Sequence, residues 1–339
     1  MTSVVVAGLG ETGVRTARQL LDTPGIDRVY VAARNGDAAR RVAQALHDGA
    51  EPWSIEDDAT FPDRIDAVAS AVPARADAEL ARAAIERRVP YASVADHDAA
   101  ISALRALDDT ARARDTCLLA GCGLAPGLAD VLVRHAADML DSVDEVHVAR
   151  FGVAGPACAA VARQTQREPN TEWHAGELVH DRHRGSELIW FPDPVGAREC
   201  PLVATGVELL TAALPGVERV TMRLGAPPLR RLAAPGILAF SARGRRDPAA
   251  GFGAVRAEVW GWQGGARATV VYGVIERTAV AAGTVLGVAT AWLAGALPEI
   301  GEPRAGAFGL GGAVKPVPFL AELARRGVKA AVFEGVAVA

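Results

Sequence analysis

Lysine is almost missing from this chain. Of its 36 basic residues only Lys315 and Lys329 are lysines, and the rest are arginine. A lysine proton donor is therefore not expected in any chemistry the chain performs. Cysteine is sparse as well: Cys117, Cys122, Cys158 and Cys200 form no CxxC pair, and a chain this long needs no disulfide staples, so the four read as reduced thiols. Excess positive charge is also absent. A formal net charge of -4 removes the electrostatic footprint of a protein that binds phosphate backbones, and nucleic acid is not expected as a partner. The opening MTSVVVAGLG has no basic n-region, which points away from a signal peptide and toward the cytoplasm. One uncharged stretch, AVAAGTVLGVATAWLAGAL (279–297), reaches spanning length. Its few strong aliphatics supply only about -3 kcal/mol of insertion free energy before Gly and Thr are counted, so it reads as a small-residue helix packed in a core, and no membrane is expected.

What is present is enough apolar material for two cores: 339 residues, 50% of them hydrophobic. Strand-like VVVA (4–7), VYVAA (29–33), IDAVASAV (65–72), YASV (91–94) and CLLA (117–120) alternate with helical stretches at 14–21, 38–46, 76–87 and 99–113. That alternation predicts a parallel sheet covered on both faces. After a further helix at 128–140, strands at 143–151, 217–224, 255–262 and 268–275 follow one another, the last two around the turn Gln263-Gly264-Gly265. The expected fold is α/β, a Rossmann doubly wound parallel sheet followed by an α+β domain on a largely antiparallel sheet. The expected divisions are 1–125 for the first domain, 126–277 for the second, and 278–339 for a segment returning to the first. The polar stretch 164–200 is weakly periodic and reads as a loop or lid.

The first strand runs into Gly8-Leu9-Gly10-Glu11-Thr12-Gly13 and then a helix. Gly8 permits a tight turn, Gly10 lets backbone approach a pyrophosphate, and Gly13 lets helix and strand pack closely, so dinucleotide binding is expected here. The tip of the second strand carries Arg34 and Asn35 where an acid would hold a ribose 2′-hydroxyl. Arg34, helped by Arg40 or Arg41, suits a 2′-phosphate, so NADP(H) is favoured over NAD(H), with Asp37 as the residue that would serve NAD. None of Tyr30, Tyr91 and Tyr272 has a lysine four residues on, and no lysine precedes Pro73. The tyrosine-lysine acid of short-chain dehydrogenases and the Glu-Lys-Pro pattern of sugar oxidoreductases are both absent.

The run LLAGCGLAPGLAD (118–130) follows the last parallel strand, and in such folds ligands bind beyond the carboxyl ends of strands. Together, SAVPARADAELARAAI (70–85), YASVADHDAAISAL (91–104) and CLLAGCGLAPGLADVL (117–132) resemble the saccharopine dehydrogenase-like family in its glutamate-forming reductase branch. The resemblance spans about 1–140, with fainter likeness at 278–295 and 318–328. It implies a Rossmann domain, an antiparallel substrate domain, and nicotinamide-dependent chemistry at a carbon-nitrogen bond, an imine or secondary amine, of an amino-acid-derived substrate. Alternatives are an amino-acid dehydrogenase of the lysine ε-dehydrogenase type and a nucleotide-sensing Rossmann protein without catalysis. The family's loop aspartate is Ala125 here, which puts saccharopine itself in doubt as the substrate.

The cofactor-binding candidates are Gly8 to Gly13, Arg34, Asn35, then Ser70, Ala71, Val72 and Pro73 at the end of the strand 65–72, with Gly123 and Leu124. Asp96 and His97, just beyond the strand 91–94, are the candidate acid-base groups, with an N-cap for Asp96 and a bystander role for His97 as the alternatives. Ala125, Pro126 and Gly127 are expected to face the substrate. For a substrate carboxylate, Arg150, Arg163 and Arg223 are the candidates, with His174 alongside. His174, His180 and His183 with Glu177 and Asp181 have no trusted ligand spacing, and no metal is expected. A homodimer is expected.

Overall fold

The computed structural model describes residues 1–55, 61–181, 185–225 and 251–333. Ser3–Ala7 (β1), SVVVA, is buried at every position, as a strand covered on both faces must be. Chain order continues through Glu11–Leu21 (α1), Arg28–Ala33 (β2), Gly36–Leu46 (α2), Ala50–Ser54 (β3), Ala67–Ser70 (β4), Ala74–Glu86 (α3) and Tyr91–Ser93 (β5). Asp98–Arg105 (α4), Asp108–Ala113 (α5) and Cys117–Ala120 (β6) follow. The single helix expected at 99–113 is thus two, broken at Ala106 and Leu107. β3 has too little alternation of apolar residues to stand out in the sequence; parallel pairing with β2 makes it a strand.

The second domain opens with Leu128–Ala137 (α6) and Ser142–Phe151 (β7), then Pro156–Thr165 (α7). The stretch expected as a loop or lid instead holds Asn170–His174 (β8), Glu177–Asp181 (β9), Ser186–Trp190 (β10) and the start of Ala197–Val203 (β11). These strands lie at the sheet's periphery, where exposed polar side chains hide the alternation. Val207–Ala213 (α8), Arg219–Gly225 (β12), Phe252–Gln263 (β13) and Ala266–Arg277 (β14) complete it. Thr278–Leu293 (α9), Gly306–Gly309 (β15), Leu310–Ala313 (α10), Pro316–Arg325 (α11) and Ala330–Phe333 (β16) form the C-terminal segment.

The first sheet is wholly parallel, ordered β3-β2-β1-β4-β5-β6-β15. Its order reverses direction between β1 and β4, the switch point where doubly wound sheets open a crevice for ligands. The second sheet runs β10-β11-β12-β7-β13-β14-β16, antiparallel except where β12 pairs with β7. Val146, Val148, Val220, Met222, Val255, Ala257 and Val259 on one face form a core with α6 residues such as Leu132. Glu145, His147, Arg219, Thr221, Arg256 and Glu258 occupy alternate positions on the other face, lining a concavity of about 290 Å³.

α9 is the uncharged stretch, and its packing explains its composition. A Cβ on Gly283 would lie 2.5 Å from Arg15 Cβ, and one on Gly287 2.9 Å from Gln19 Cβ, so two small residues one turn apart let α9 lie directly on α1. Thr16 Oγ1 donates across this contact to Gly283 O at 3.3 Å. Among the described residues, no helix is long and apolar enough to cross a membrane.

Candidate active site

The glycine turn is built tightly. Gly8 sits at φ +90°, and a Cβ there would fall 2.5 Å from Ala71 O; a Cβ on Gly13 would fall 1.8 Å from Gly8 O. Gly10 differs: nothing stands within 4 Å of its missing Cβ. The first intrahelical bond of α1 is Val14 N–H to Gly10 O, so the N–H groups of Glu11, Thr12 and Gly13 precede it without intrahelical acceptors, and no side chain caps this end. A groove of about 1060 Å³ opens beside Leu9, Gly10 and Glu11, with Arg15, Arg18 and Arg277 along it and Val153, Ala154 and Pro156 across it. Open space, unspent donors, a helix dipole and three cations suit a dinucleotide diphosphate.

At the tip of β2, Arg34 is exposed and has no hydrogen-bond or ion-pair partner among the described residues. Asn35 is committed to capping α2, accepting from Asp37 N–H at 2.9 Å and Ala38 N–H at 3.3 Å. Asp37 is paired with Arg40. Across the switch point, Ala71 backs the turn and Val72 and Pro73 lead into α3, while the Ser70 hydroxyl is buried and donates to Asp77 Oδ1 at 2.6 Å.

The second half of the site lies between the domains. Asp96 does not cap α4; His97 holds the N-cap position, and makes no side-chain cap bond there. Asp96 Oδ2 instead accepts from both terminal nitrogens of Arg150, at 3.2 and 3.3 Å, and Cys158 Sγ lies 3.8 Å away. Arg150 is only 5% exposed, whereas the Asp96 side chain is 23% exposed. Asp96 Oδ1 has no partner among the described residues. His97 Nε2 meets Glu168 Oε2 at 2.9 Å, and Gln164 Nε2 donates to Glu168 Oε1 at 2.9 Å. One residue on, burial and the Glu208 charge raise the Asp98 carboxyl above the usual range, with His97 and His180 pulling the other way. Asp96, Asp98, Glu168 and Glu208 thus gather near the imidazoles of His97 and His180 at this boundary.

Several expected substrate residues lie elsewhere. Ala125 is 1% exposed, the Ala125-Pro126 peptide is cis, and Gly121 to Gly127 are all buried. Pro126 packs against Gly121 and Gly206, and Leu124 against Gly253, so Ala125, Pro126 and Gly127 join the two domains and present no open surface to a substrate. Gly123 N–H is spent on Pro126 O at 3.1 Å. Arg223 is beside Ala149 in the β12–β7 register, and Leu224 beside Arg150; the two arginines therefore point to opposite faces. Arg223 spends its donors on Gly185 O, Cys200 O and Glu187. His174 is exposed at the end of β8, beside Arg219, and faces away from Asp96 with it. Arg163, on α7, is half-buried with no partner among the described residues. His180 bonds Thr171 Oγ1 at 2.9 Å, and His183 lies outside the described residues. No three metal-ligating side chains gather among the described residues.

Cys158, Glu168 and Glu208 carried no signal in the sequence. Each meets the 96–98 segment only through domain packing, 62 or more residues away along the chain.

Asp130, in the first turn of α6, is fully buried; its Oδ2 accepts from Gly127 N–H at 3.1 Å and its Oδ1 has no partner among the described residues. Burial pushes its carboxyl up to about 7. A carboxyl raised in the folded state binds more protons there than in the unfolded chain, so its contribution to stability is greatest at acid pH and is lost as pH rises from about 4 through about 7. Asp130→Asn is expected to remove that slope and to stabilise the protein at pH 8 by about 1–3 kcal/mol. Urea unfolding at pH 5 and pH 8 checks it; equal slopes in both proteins would refute it.

No family model and no curated protein matches the chain. Solved structures do share its fold. Saccharopine dehydrogenase (L-Glu forming) from Saccharomyces cerevisiae superposes with a TM-score of 0.69 at 14% identity, over 98% of this chain and 100% of that one. DAP dehydrogenase from C. glutamicum, solved with DAP, gives 0.54 at 13% identity over 96% and 98%. An amine dehydrogenase from Mycobacterium smegmatis gives 0.54 at 12% identity over 93% and 96%. The chain has the two-domain α/β fold of these dehydrogenases.

Proposed function

We propose that this protein is an NADP(H)-dependent oxidoreductase acting on a carbon-nitrogen bond, an imine or secondary amine, of an amino-acid-derived substrate, in the manner of a saccharopine reductase. The observation that carries the reading is the Asp96–Arg150 pair, held beyond the end of β5 with one carboxylate oxygen unpartnered among the described residues, on a fold that dehydrogenases of amino compounds share with other dehydrogenases.

A bound nicotinamide would supply or accept the hydride. The rest falls to the chain. The N–H groups of Glu11 to Gly13 hold the diphosphate. Arg150 grips Asp96 by Oδ2 and leaves Oδ1 to give or take the proton on the substrate nitrogen, and His97, braced by Glu168, orients the amine from the neighbouring position. An iminium carbon is already electrophilic, so positioning is the larger part of the work. The small-molecule substrate is amino-acid-like, and the working form is a homodimer.

Measuring bound NADPH and NADH, then scanning nicotinamide absorbance with amino acids paired with 2-oxo acids or aldehydes, tests the assignment. Turnover with at least one amine-forming pair is expected; nucleotide binding without turnover across the panel would favour a sensor and overturn it. For the cofactor, Arg34→Ala is expected to weaken NADPH about tenfold or more while leaving NADH unchanged, since one charge-assisted contact to a 2′-phosphate contributes about 1.5–3 kcal/mol. Fluorescence titration with both nucleotides reads this, and an unaltered ratio would refute the preference.

A further inference from the structure

Beneath the tips of β4 and β5 lies a buried acid that the reaction as described does not use. Asp77, in the first turn of α3, is 2% exposed. Its Oδ1 accepts from Ser70 Oγ at 2.6 Å and from Tyr91 OH at 2.7 Å, and its Oδ2 from Ser93 Oγ at 2.5 Å. Ser93 Oγ in turn accepts from Ala95 N–H at 2.9 Å, and Ser93 O from Cys122 N–H at 2.6 Å. Asp96 is the next residue.

We propose that Asp77 is a positioning residue: acting through Ser93, it fixes the backbone at Ala95 and thereby sets where the Asp96 carboxylate stands beside Arg150. The assignment rests on the function proposed above, in which Asp96 serves the substrate nitrogen. Ser70, Tyr91 and Ser93 each spend their only hydroxyl proton on Asp77, and only a carboxylate, which is all acceptor, takes three such bonds. Because Ser93 gives its proton away, its lone pairs are free for Ala95 N–H. An asparagine would turn an amide donor toward Ser93 and leave the serine proton without its acceptor, so the order of the chain would fail at its last link. Burial raises the Asp77 carboxyl, and the three hydroxyls draw it back down; the first turn of α3 adds the favourable end of its dipole.

Cys158 reports the position of Asp96 without any substrate. Burial and the adjacent Asp96 charge both raise its thiol, and Arg150 lowers it, while Cys117, Cys122 and Cys200 are buried. The test is the pH profile of Cys158 alkylation by iodoacetamide in the full chain, compared among wild type, Asp96→Asn, Asp77→Asn, Ser93→Ala and Ser93→Thr. Asp96→Asn sets the scale. Asp77→Asn and Ser93→Ala are each expected to lower the midpoint by about one pH unit, roughly tenfold more thiolate at neutral pH, and Ser93→Thr, which keeps the hydroxyl, to restore the wild-type profile. General loosening of the fold would lower the melting temperature of Ser93→Thr and Ser93→Ala without this split. Folded Asp77→Asn and Ser93→Ala proteins with the wild-type thiol profile would overturn the proposal. The two readings fail separately: full turnover by Asp96→Asn removes the catalytic reading, whereas an unmoved thiol profile removes only the positioning one.

Discussion

Gly13→Ala is expected to abolish nucleotide binding and to destabilise the protein, while Gly10→Ala loses binding and folds normally. The difference follows from what each missing Cβ would meet. At Gly13 it would lie 1.8 Å from the Gly8 carbonyl oxygen, far inside any non-bonded contact of heavy atoms, so the turn must open or α1 must move off β1. Overpacking of this kind, with backbone as the obstacle, costs about 2–4 kcal/mol and takes the diphosphate cradle with it. At Gly10 the space is open, and the folded protein loses only the few tenths of a kcal/mol, up to about 1, by which alanine is a poorer N-cap than glycine. The methyl group would nevertheless stand where the diphosphate must approach, and an affinity loss of about 100-fold or more is expected, equivalent to about 2.7 kcal/mol. Denaturant unfolding and NADPH titration on the two variants separate the effects. Normal NADPH affinity in Gly10→Ala would show that this turn holds no diphosphate.

Arg150→Met is expected to cost about 2–3 kcal/mol of stability and, with it, about 100-fold or more in turnover. Arg150 is almost wholly buried, and removing it strands the Asp96 carboxylate at the domain boundary; the cost falls short of that for a fully buried pair because Asp96 keeps some water. Pairing it with Asp96→Asn gives the sharper result. Each single change leaves one partner without the other, and the double change leaves neither, so the double variant should be more stable than the sum of the singles by about 1 kcal/mol or more. Thermal and urea unfolding of the four proteins measure this coupling. Strict additivity would mean that the contact between the domains at this point carries no weight, and Asp96 would need another means of being held.

The glycine turn was legible in the sequence because its constraints are local: a strand of β-branched residues, three glycines at fixed offsets, and a helix within the next turn. The small-residue character of 279–297 was legible too, since a chain that is apolar but poor in large aliphatics is suited to close helix contact. What the helix packs on, the face of α1 from Thr12 to Gln19, was not.

The second domain shows where local reading ends. Four strands hidden in the polar stretch 164–200 are defined by partners, not by their own alternation, and the exposed ones such as Leu188 and Trp190 on β10 invert the usual pattern. The arginines make the same point. Arg150 and Arg223 look equivalent in sequence, each on an apolar strand, yet a one-residue offset in the β7–β12 register sends Arg150 to the domain boundary and Arg223 to the opposite face.

The chain by itself determined the parallel-then-antiparallel order of its elements, the tight glycine bend between β1 and α1, and the nearness of Asp96 and His97 to a strand end, because each depends on residues within a few turns of one another. Only the folded molecule decided which groups surround them. Cys158, Glu168 and Glu208 reach that corner from α7, its C-terminal turn and α8. The LAPG loop, which looked like a ligand surface, became the buried joint between domains. Side-chain direction across a sheet is set by register with distant strands, and burial by what the other domain covers; neither quantity is written in any window of the sequence short enough to read alone.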